Sequence, residues 1–556
     1  MRTIIAFVVY ETPFAPAGGV AAVMRFLPEY VKKAAGVETI VFTPMHKSAK
    51  FPQDAALTSM GKVMVPVGRE RTTVELLRLD KGLPWYFLKP LEGEYFEGSA
   101  HPYDMSGEEL LRDSLFFGKA VAAAIKAEEA FPDGSGEPIE WKLLVQDWEA
   151  ATTAMALANA RAKNRPAMYL TLHNSYDMPL TTKDLRAIGI KGKATARDSV
   201  LSRALPIVER TIFTVSGQFA YDLTDDPLQA EVMASHLVDR LSTRLLGIDN
   251  GPFAEFALHE PIIVAAMGGD FGPIRQWKTE RREHATRAFR ALQSTSEKPV
   301  WGDVKKFTES DDPWIVMGGR DDPRQKGYDV AAAAIEQFLA KGCKAQFILF
   351  PIPGSEGLAG LEFLHRLAKA FPGRVVAMPF RWSEGFFLVL QGAAFGLMPS
   401  LYEPFGMANE FYLNGTPGIG RATGGIIQQI VPLRSGASCS QAVQDRAARW
   451  HLISARPTGI LFRERDGIGS VTRDWQAVNV CDYETGGERP DRVEARLRLP
   501  LFSAMASECR IAIEDAARLY TERPDEYCVM LTEGIDYIRR TFSWRRAAGE
   551  YVRQIV

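Results

Sequence analysis

The chain has 556 residues, of which 66 are basic and 68 are acidic, so its formal net charge is −2. This near-neutral balance excludes the strongly basic surface expected of a protein whose main partner is nucleic acid or an anionic membrane. A chain of this length, with 46% hydrophobic and 24% charged side chains, suffices for two large α/β domains, each with its own core.

In the first half of the chain, short apolar runs alternate with helical stretches, which is the pattern of parallel sheets covered by helices on both faces. The first apolar run, residues 4–10, has seven residues and no small-residue cleavage site. We interpret it as a buried strand, not as a signal peptide or a membrane span. The predicted strands here are residues 4–9, 39–43, 142–145, 167–172 and 212–215, and the predicted helices are residues 19–34 and 106–128.

The same alternation continues in the second half, after a segment that is typical of a linker. Residues 270–312 are rich in charge and end in a turn-like acidic sequence before Pro313, so we place the start of the second domain near Asp312. The linker has a helix-like centre at residues 276–292. The predicted strands that follow are residues 314–318, 346–351, 374–378 and 395–399, and the predicted helices are residues 329–340 and 358–370.

The cysteines and three acidic triplets bear on compartment and cofactors. Five cysteines without C-x-x-C spacing form an odd, sparse set, which is typical of reduced thiols in a cytosolic protein. They are Cys343, Cys439, Cys481, Cys509 and Cys528.

Asp-Asp-Pro occurs at residues 225–227, 311–313 and 321–323 and could be taken for Mg²⁺ ligands, but Asp before Pro is turn chemistry. We therefore expect no metal and no other cofactor.

Residues 402–425 bring two carboxylates and two glycine turns together directly after an apolar strand. Glu403 and Glu410 could hold ribose or sugar hydroxyls, and the turn Thr423-Gly424-Gly425 could aim backbone N–H groups at a diphosphate. Taken singly, Glu-Pro and Gly-Thr-Pro are also ordinary turn sequences. The ordered set favours a sugar-nucleotide site.

This ordered set resembles the donor loop of retaining glycosyltransferases with the GT-B fold. Further motifs follow in the order found in glycogen and starch synthases and extend the resemblance over nearly the whole chain; they are residues 10–20, 146–150, 171–174 and 319–327. The resemblance implies two Rossmann-like, doubly wound parallel-sheet domains that face a central cleft. The domains it implies are an acceptor-side domain with its linker at 1–311, a nucleotide-sugar domain at 312–538, and a last helix at 539–556 that crosses back to the first domain.

Arg320 and Lys326 follow the predicted strand 314–318, at the sheet edge where open α/β sheets bind their ligands. The resemblance implies that both side chains clamp the diphosphate, whose negative charge grows when the sugar leaves. Their spacing is closer to that of fungal and animal glycogen synthases than to that of most bacterial ones. Two solvated basic residues on a loop are the alternative interpretation.

His173 also follows a predicted strand, and a histidine in such a place is more often a satisfied loop residue than a catalytic one. Its neighbour Asn174 and the upstream Asp147 match the wall that holds the sugar in the resembling enzymes. By resemblance, His173 contacts the transferred glucose, Asp147 faces the donor sugar or the acceptor, and Asn174 lies beside them.

Two departures from the family pattern are visible. The glutamates lie one residue closer together than usual, and a count back from Gly415 assigns the ribose role to Glu410, whereas a count forward from Glu403 reaches Phe411. By resemblance, Glu403 then lies beneath the sugar, although both glutamates could instead be helix-terminus residues.

The second departure concerns the first glycine turn. Gly18 and Gly19 open a helix and could bring bare backbone near the donor. The lysine that usually precedes this turn is replaced by Pro16-Ala17. We consider Arg421 and Arg381 as basic residues that could fill the gap.

The resemblance implies a metal-independent, retaining glucosyltransferase that moves glucose from ADP-glucose or UDP-glucose to the non-reducing end of an α-glucan in the cytoplasm. An enzyme that makes a different saccharide or glucoside on the same scaffold is one alternative. A catalytically silent glucan-binding protein is the alternative from another class. The nucleotide base, the acceptor, the linkage and the oligomeric state stay open at this point.

Overall fold

The computed structural model describes residues 2–68, 70–127, 131, 137–158, 165–354, 356–465, 467–469, 471–479 and 492–556. Cys481 and the end of the predicted helix 106–128 lie outside these residues. The chain divides into two compact units. The first consists of Met1–Asp225, Met233–Phe253 and Phe542–Val556, and the second of Asp226–Val232 and Ala254–Thr541.

The strands form two sheets, and most of their pairs are parallel. In the first unit a nine-stranded sheet has the order β3-β4-β5-β2-β1-β6-β7-β8-β9, with only the pairs β3/β4 and β4/β5 antiparallel among the described residues. Its strands are β1 (Arg2–Val8), β2 (Glu38–Pro44), β3 (Thr58–Val67), β4 (Glu70–Lys81), β5 (Leu83–Pro90), β6 (Ile139–Gln146), β7 (Ala167–Leu172), β8 (Ile212–Thr214) and β9 (Leu245–Gly247). In the second unit a six-stranded parallel sheet has the order β12-β11-β10-β13-β14-β15. Its strands are β10 (Trp314–Arg320), β11 (Gln346–Ile352), β12 (Val375–Ala377), β13 (Phe395–Met398), β14 (Gly418–Arg421) and β15 (Ile460–Phe462).

Helices connect most of these strands, as parallel pairing requires. They are α1 (Gly19–Ala35), α2 (Gly107–Ala124), α3 (Asp147–Ala156), α4 (Thr182–Ala187), α5 (Val200–Ala204), α6 (Gly217–Asp225), α7 (Val238–Leu241), α8 (Glu260–Met267), α9 (Gly272–Ala291), α10 (Val304–Phe307), α11 (Tyr328–Ala340), α12 (Glu362–Ala370), α13 (Ser383–Gly392), α14 (Ala408–Leu413), α15 (Gly424–Gln429), α16 (Gln441–Ala447), α17 (Thr472–Asn479), α18 (Arg492–Leu497), α19 (Pro500–Glu522), α20 (Pro524–Thr541) and α21 (Trp544–Ile555). A π-helical segment, Pro227–Met233, and a 3₁₀ turn, Ala359–Leu361, complete the set. Among the described residues, none of these helices combines the length and the apolarity needed to cross a bilayer.

The predicted seam near Asp312 differs from the structure, in which the continuous part of the second unit runs from Ala254 to Thr541. The charged segment 270–312 is therefore not a linker. Helix α9 packs on α13, and Arg282 on α9 donates to the carbonyl oxygens of Ser310 and Asp312 at 2.9 and 2.7 Å. Most side chains of α9 are polar, and its narrow buried face, which includes Trp277 and Phe289, gives too weak an apolar signal to predict this packing from sequence.

The last helix, α21, is part of the core of the first unit. The Trp544 ring stacks on Phe26 of α1 with 5.6 Å between ring centroids, and the Tyr551 ring lies 4.6 Å from that of Phe213. Gly251 lies directly against Trp544, because a Cβ at this glycine would be 2.4 Å from the Trp544 nitrogen. Gly251 and Pro252 are thereby fixed next to Trp544.

The second sheet places the predicted donor residues along one edge. Strand β10 is hydrogen-bonded to β13, and β13 to β14, all in parallel. The carboxyl ends of the three strands therefore lie side by side. They lead into Arg320, the loop that holds Glu403, and the turn at Thr423, respectively.

Candidate active site

In the second unit, Lys326 lies in the loop between β10 and α11 and is held by a carboxylate. Its Nζ donates to Glu403 Oε2 at 2.7 Å, with the Lys326 side chain 28% exposed. The next residue, Gly327, has φ +70°, and a Cβ there would lie 2.3 Å from the Pro399 carbonyl oxygen. Only glycine allows this close approach, which brings the lysine to the end of β13.

Arg320 is the last residue of β10, and its side chain is 46% exposed. Its guanidinium lies 3.7 Å from Asp322 Oδ2. The structure thus places Arg320 at the end of β10 and Lys326 in the seven-residue connection to α11. Of the two cations, Lys326 is the one that contacts Glu403 in the described residues, and the Arg320 side chain is half-exposed.

The loop after β13 is fixed through Glu403. Its carboxylate accepts from Ser400 Oγ at 3.1 Å, and its carbonyl accepts the N–H of Gly425 at 3.1 Å. A Cβ on Gly424, where φ is +46°, would lie 1.6 Å from the Glu403 carbonyl oxygen. The predicted Thr-Gly-Gly turn therefore lets α15 pack against this loop, and the Gly425 amide is directed at Glu403. The first residue of the turn, Thr423, is buried at the start of α15, and its role in donor binding stays a prediction.

The two candidates for the second glutamate occupy different environments. Glu410 lies in the first turn of α14, and its side chain is 7% exposed. Phe411 is fully buried and packs on β13, where a Cβ on Gly396 would lie 2.3 Å from its ring. Phe411 is thus a core residue, which favours the count that selects Glu410.

In the first unit, Asp147 contacts two other predicted residues. It follows β6 with φ +60°, a left-handed conformation that Asp tolerates better than most residues. Its Oδ1 accepts the backbone N–H of His173 at 2.6 Å, and its Oδ2 accepts the side-chain amide of Asn174 at 3.2 Å. Asp147 therefore fixes the loop that carries His173 and Asn174.

Burial sets the charge states of this group. It lowers the pKa of His173 to about 4, so the imidazole is neutral near pH 7, and its Nε2 lies 2.8 Å from Gln146 Oε1. Burial raises the pKa of Asp147 to about 7 and, together with the charge of Asp147, raises that of Glu149 well above its usual range. A neutral imidazole can donate a hydrogen bond to a hydroxyl or accept one from it, but it supplies no positive charge.

The predicted glycine turn at Gly18 and Gly19 is organised by Glu11, a residue whose role the sequence analysis missed. The buried Glu11 carboxylate accepts the N–H groups of Ala17 and Ala21 at 3.0 and 3.2 Å, as well as that of Gly18. The Gly18 amide is therefore used inside the protein, whereas Gly19 has open space where a Cβ would be. A Glu before a Pro and a Gly-Gly pair is the sequence signal that could have indicated this internal cap.

Arg421 does not fill the gap left by the missing lysine. Its side chain is fully buried, its guanidinium pairs with Glu464 through two hydrogen bonds, and its Nη1 donates to the Leu401 carbonyl at 2.7 Å. A guanidinium with these contacts has no route to a ligand. Buried charge pairs of this kind join residues far apart in sequence, so local sequence patterns do not reveal them.

Each of the three Asp-Asp-Pro triplets has an arginine partner. One carboxylate of each triplet forms an ion pair: Asp226 with Arg463, Asp312 with Arg374, and Asp321 with Arg492. In the part of the chain that the structure describes, no group of three or more His, Cys, Asp or Glu side chains is arranged to hold a metal ion.

The chain is similar in sequence and in fold to proteins of known type. The sequence model of the starch synthase catalytic domain matches residues 4–230. A glycogen synthase from Dechloromonas aromatica is 25% identical over 487 residues, which cover 84% of this chain and 89% of that protein. A glycogen synthase from Kosmotoga olearia is 27% identical over 440 residues, which cover 76% and 82%. The catalytic domain of starch synthase IV from Arabidopsis thaliana, bound to ADP and acarbose, superimposes with a TM-score of 0.69 at 16% identity, covering 99% of this chain and 98% of that one.

Two parallel-sheet α/β units that superimpose on the starch synthase IV catalytic domain define the GT-B fold. The matches to the starch synthase model and to glycogen synthases indicate a glycosyltransferase that is similar to glycogen and starch synthases. The fold and the family resemblance expected from the sequence are thereby confirmed.

Proposed function

We propose that the enzyme transfers glucose from ADP-glucose or UDP-glucose to the non-reducing end of an α-glucan, with retention of the anomeric configuration. The observation that carries this proposal is the loop from Arg320 to Lys326 at the carboxyl edge of the second sheet, with Lys326 held by Glu403 at 2.7 Å. The names of these two sequence relatives, both glycogen synthases, support the reaction. The ADP and acarbose bound to the Arabidopsis catalytic domain support a nucleotide and a saccharide as ligands.

The chemical task of the second unit is to stabilise a leaving diphosphate. Charge accumulates on the diphosphate as its bond to the sugar breaks, and fixed cations that face it lower the barrier. We assign this role to Arg320 and Lys326. Lysine has three donor hydrogens, so the bond to Glu403 leaves two of them for phosphate oxygens. These cations do the work that a metal ion does in other transferases, so the reaction proceeds without one.

Around the diphosphate, we assign Glu410 to the ribose hydroxyls and Glu403 to the face beneath the glucose. Glu403 also sets the direction of Lys326, because its own position is fixed by Ser400 and Gly425. The turns at Gly18-Gly19 and Thr423-Gly424-Gly425 shape the loops that bind the donor.

In the first unit, we assign His173 to the transferred glucose, and Asp147 and Asn174 to the wall beside it. His173 is neutral near pH 7 because burial lowers its pKa to about 4. It therefore serves as a hydrogen-bond partner for sugar hydroxyls, and the positive charge comes from the second unit.

We also place the enzyme in the cytoplasm, a proposal that the free thiols of Cys343, Cys439, Cys509 and Cys528 support.

The test is to incubate the protein with a panel of nucleotide sugars and with glycogen or maltooligosaccharides, and to identify the released diphosphate and the product linkage. The proposal predicts ADP or UDP release that requires an α-glucan acceptor. A different acceptor would support the related saccharide-forming enzyme. Glucan binding without turnover of any donor would support the catalytically silent glucan-binding protein and would contradict the proposal.

A further inference from the structure

Two arginines of α18 are buried against the loop that carries Arg320 and Lys326. Arg492 donates to both carboxylate oxygens of Asp321, at 2.7 and 2.9 Å, and its Nε lies 3.6 Å from Asp329 Oδ2. Arg496 donates from Nη1 to Asp329 Oδ2 at 2.8 Å and to the carbonyl oxygen of Pro323 at 2.8 Å. The two arginines are four residues apart, so they lie on one face of the short helix.

These contacts enclose the loop. Asp321 directly follows Arg320, Pro323 lies in the middle, and Asp329 follows Lys326 by three residues. The side chains of Asp321 and Asp329 are 6% and 0% exposed, and those of Arg492 and Arg496 are 5% and 0% exposed. The loop is therefore held at three points by groups that are shielded from water.

We infer that Arg492 and Arg496 are positioning residues, which hold the Arg320–Lys326 loop in the geometry that the leaving diphosphate requires. This inference rests on the proposed function. A guanidinium presents two parallel donors to a carboxylate, whereas a lysine at the same place presents a single point charge. Loss of the fork leaves buried oxygen atoms of Asp321 without a partner, and the loop moves to satisfy them. A displacement of about 1 Å at a reacting group costs roughly 10²-fold in rate.

The experiment compares Arg492→Lys and Arg496→Lys with the matched control Arg498→Lys. Arg498 is exposed one residue beyond α18. Three properties are measured. Glucosyl transfer gives kcat and KM for the donor, calorimetry gives the affinity for ADP and for UDP, and thermal unfolding gives the stability. We expect each buried variant to unfold cooperatively and to lose about 10- to 100-fold in kcat/KM for the donor, with weaker nucleotide binding. The control is expected to match wild type.

A double-mutant cycle separates positioning from a general effect on the fold. If the arginines act through the loop, Arg492→Lys has a smaller further effect when Lys326 is already alanine, because one of the two cations being positioned is gone. An undiminished effect in the Lys326→Ala background would overturn the inference, as would wild-type kcat/KM and nucleotide affinity in both buried variants. If Arg492→Lys fails to fold, Asp321→Asn breaks the same pair from the loop side and takes its place in the cycle. Wild-type protein that neither binds a nucleotide nor transfers glucose would overturn the proposed function and this inference together.

Discussion

Lys326 and Glu403 form a direct ion pair, with 2.7 Å between Nζ and Oε2. The cation assigned to the diphosphate is thereby anchored by the carboxylate assigned to the sugar. Because Glu403 is 93% buried and also bonded to Ser400, the lysine is held in place before any ligand arrives. Such preorganisation is what makes a charged group effective in a transition state.

Alanine at either cation should slow glucosyl transfer while the protein stays folded. Removal of one preorganised charge contact costs about 3 kcal/mol of transition-state stabilisation, or roughly 10² to 10³ in rate. We expect this loss for Lys326→Ala and for Arg320→Ala, measured as kcat/KM. Arg324→Ala is the matched control, because Arg324 is an exposed arginine of the same loop, and it should retain activity. Near-normal turnover in either of the first two variants would remove that residue from the diphosphate site.

The neighbouring residues of α14 should separate binding from stability. Glu410→Ala should weaken binding of ADP and UDP, measured by calorimetry, with little change in the free energy of unfolding. Phe411→Ala should instead lower the free energy of unfolding by about 3–5 kcal/mol, because it empties a core position against Gly396. Unchanged nucleotide affinity in Glu410→Ala would show that the count back from Gly415 assigns the ribose role to the wrong residue.

Much of the fold could be predicted from sequence, because buried parallel strands are continuous apolar runs. The predicted strand 167–172 agrees with β7, and the other predicted strands agree with theirs to within a few residues. Strand β3 was missed because most of its side chains are exposed, and β9 and β15 because they have only three residues each. The short strand β14 and the paired strands β4 and β5 were missed as well.

The candidate site was predictable only where its residues follow strands. Lys326, Glu403, Asp147 and His173 follow apolar runs, and their resemblance to family motifs, not their spacing alone, made them candidates. The contacts of Glu11, Arg492 and Arg496 could not be predicted, since they depend on pairings between residues far apart in the chain. Arg421 was misjudged for the same reason, because its partner Glu464 lies 43 residues further on.

Acid should destabilise the protein partly through His46. Burial lowers the pKa of His46 to about 4, and its Nε2 lies 2.7 Å from the Tyr10 carbonyl oxygen. A depressed folded-state pKa gives stability that is fully present above the unfolded value of about 6.5 and is lost as pH falls toward 4. Between pH 7 and pH 5 this term amounts to about 2 kcal/mol. Urea unfolding at both pH values measures the drop in the free energy of unfolding from pH 7 to pH 5. This drop should be smaller by about 2 kcal/mol in His46→Gln than in wild type. An equal drop in both proteins would contradict the lowered pKa of His46.

Glucosyl transfer should survive a chelator. We assign the charge that stabilises the leaving diphosphate to Arg320 and Lys326, so EDTA should leave kcat/KM unchanged within error. A dialysed sample assayed with and without added Mg²⁺ or Mn²⁺ provides the control. Loss of activity in EDTA with rescue by either ion would show that a metal takes part at the diphosphate.

Retaining transfer of glucose to an α-glucan can be measured directly as elongation of an acceptor by a labelled donor. A maltooligosaccharide is incubated with ADP-glucose or UDP-glucose carrying ¹³C at the anomeric carbon, and the product is followed by NMR and mass spectrometry. The account predicts an oligosaccharide lengthened by one glucose, α-linked at its non-reducing end, with one nucleoside diphosphate released per glucose added. A β-linked product, or release of free glucose from both donors without elongation of the acceptor, would contradict it.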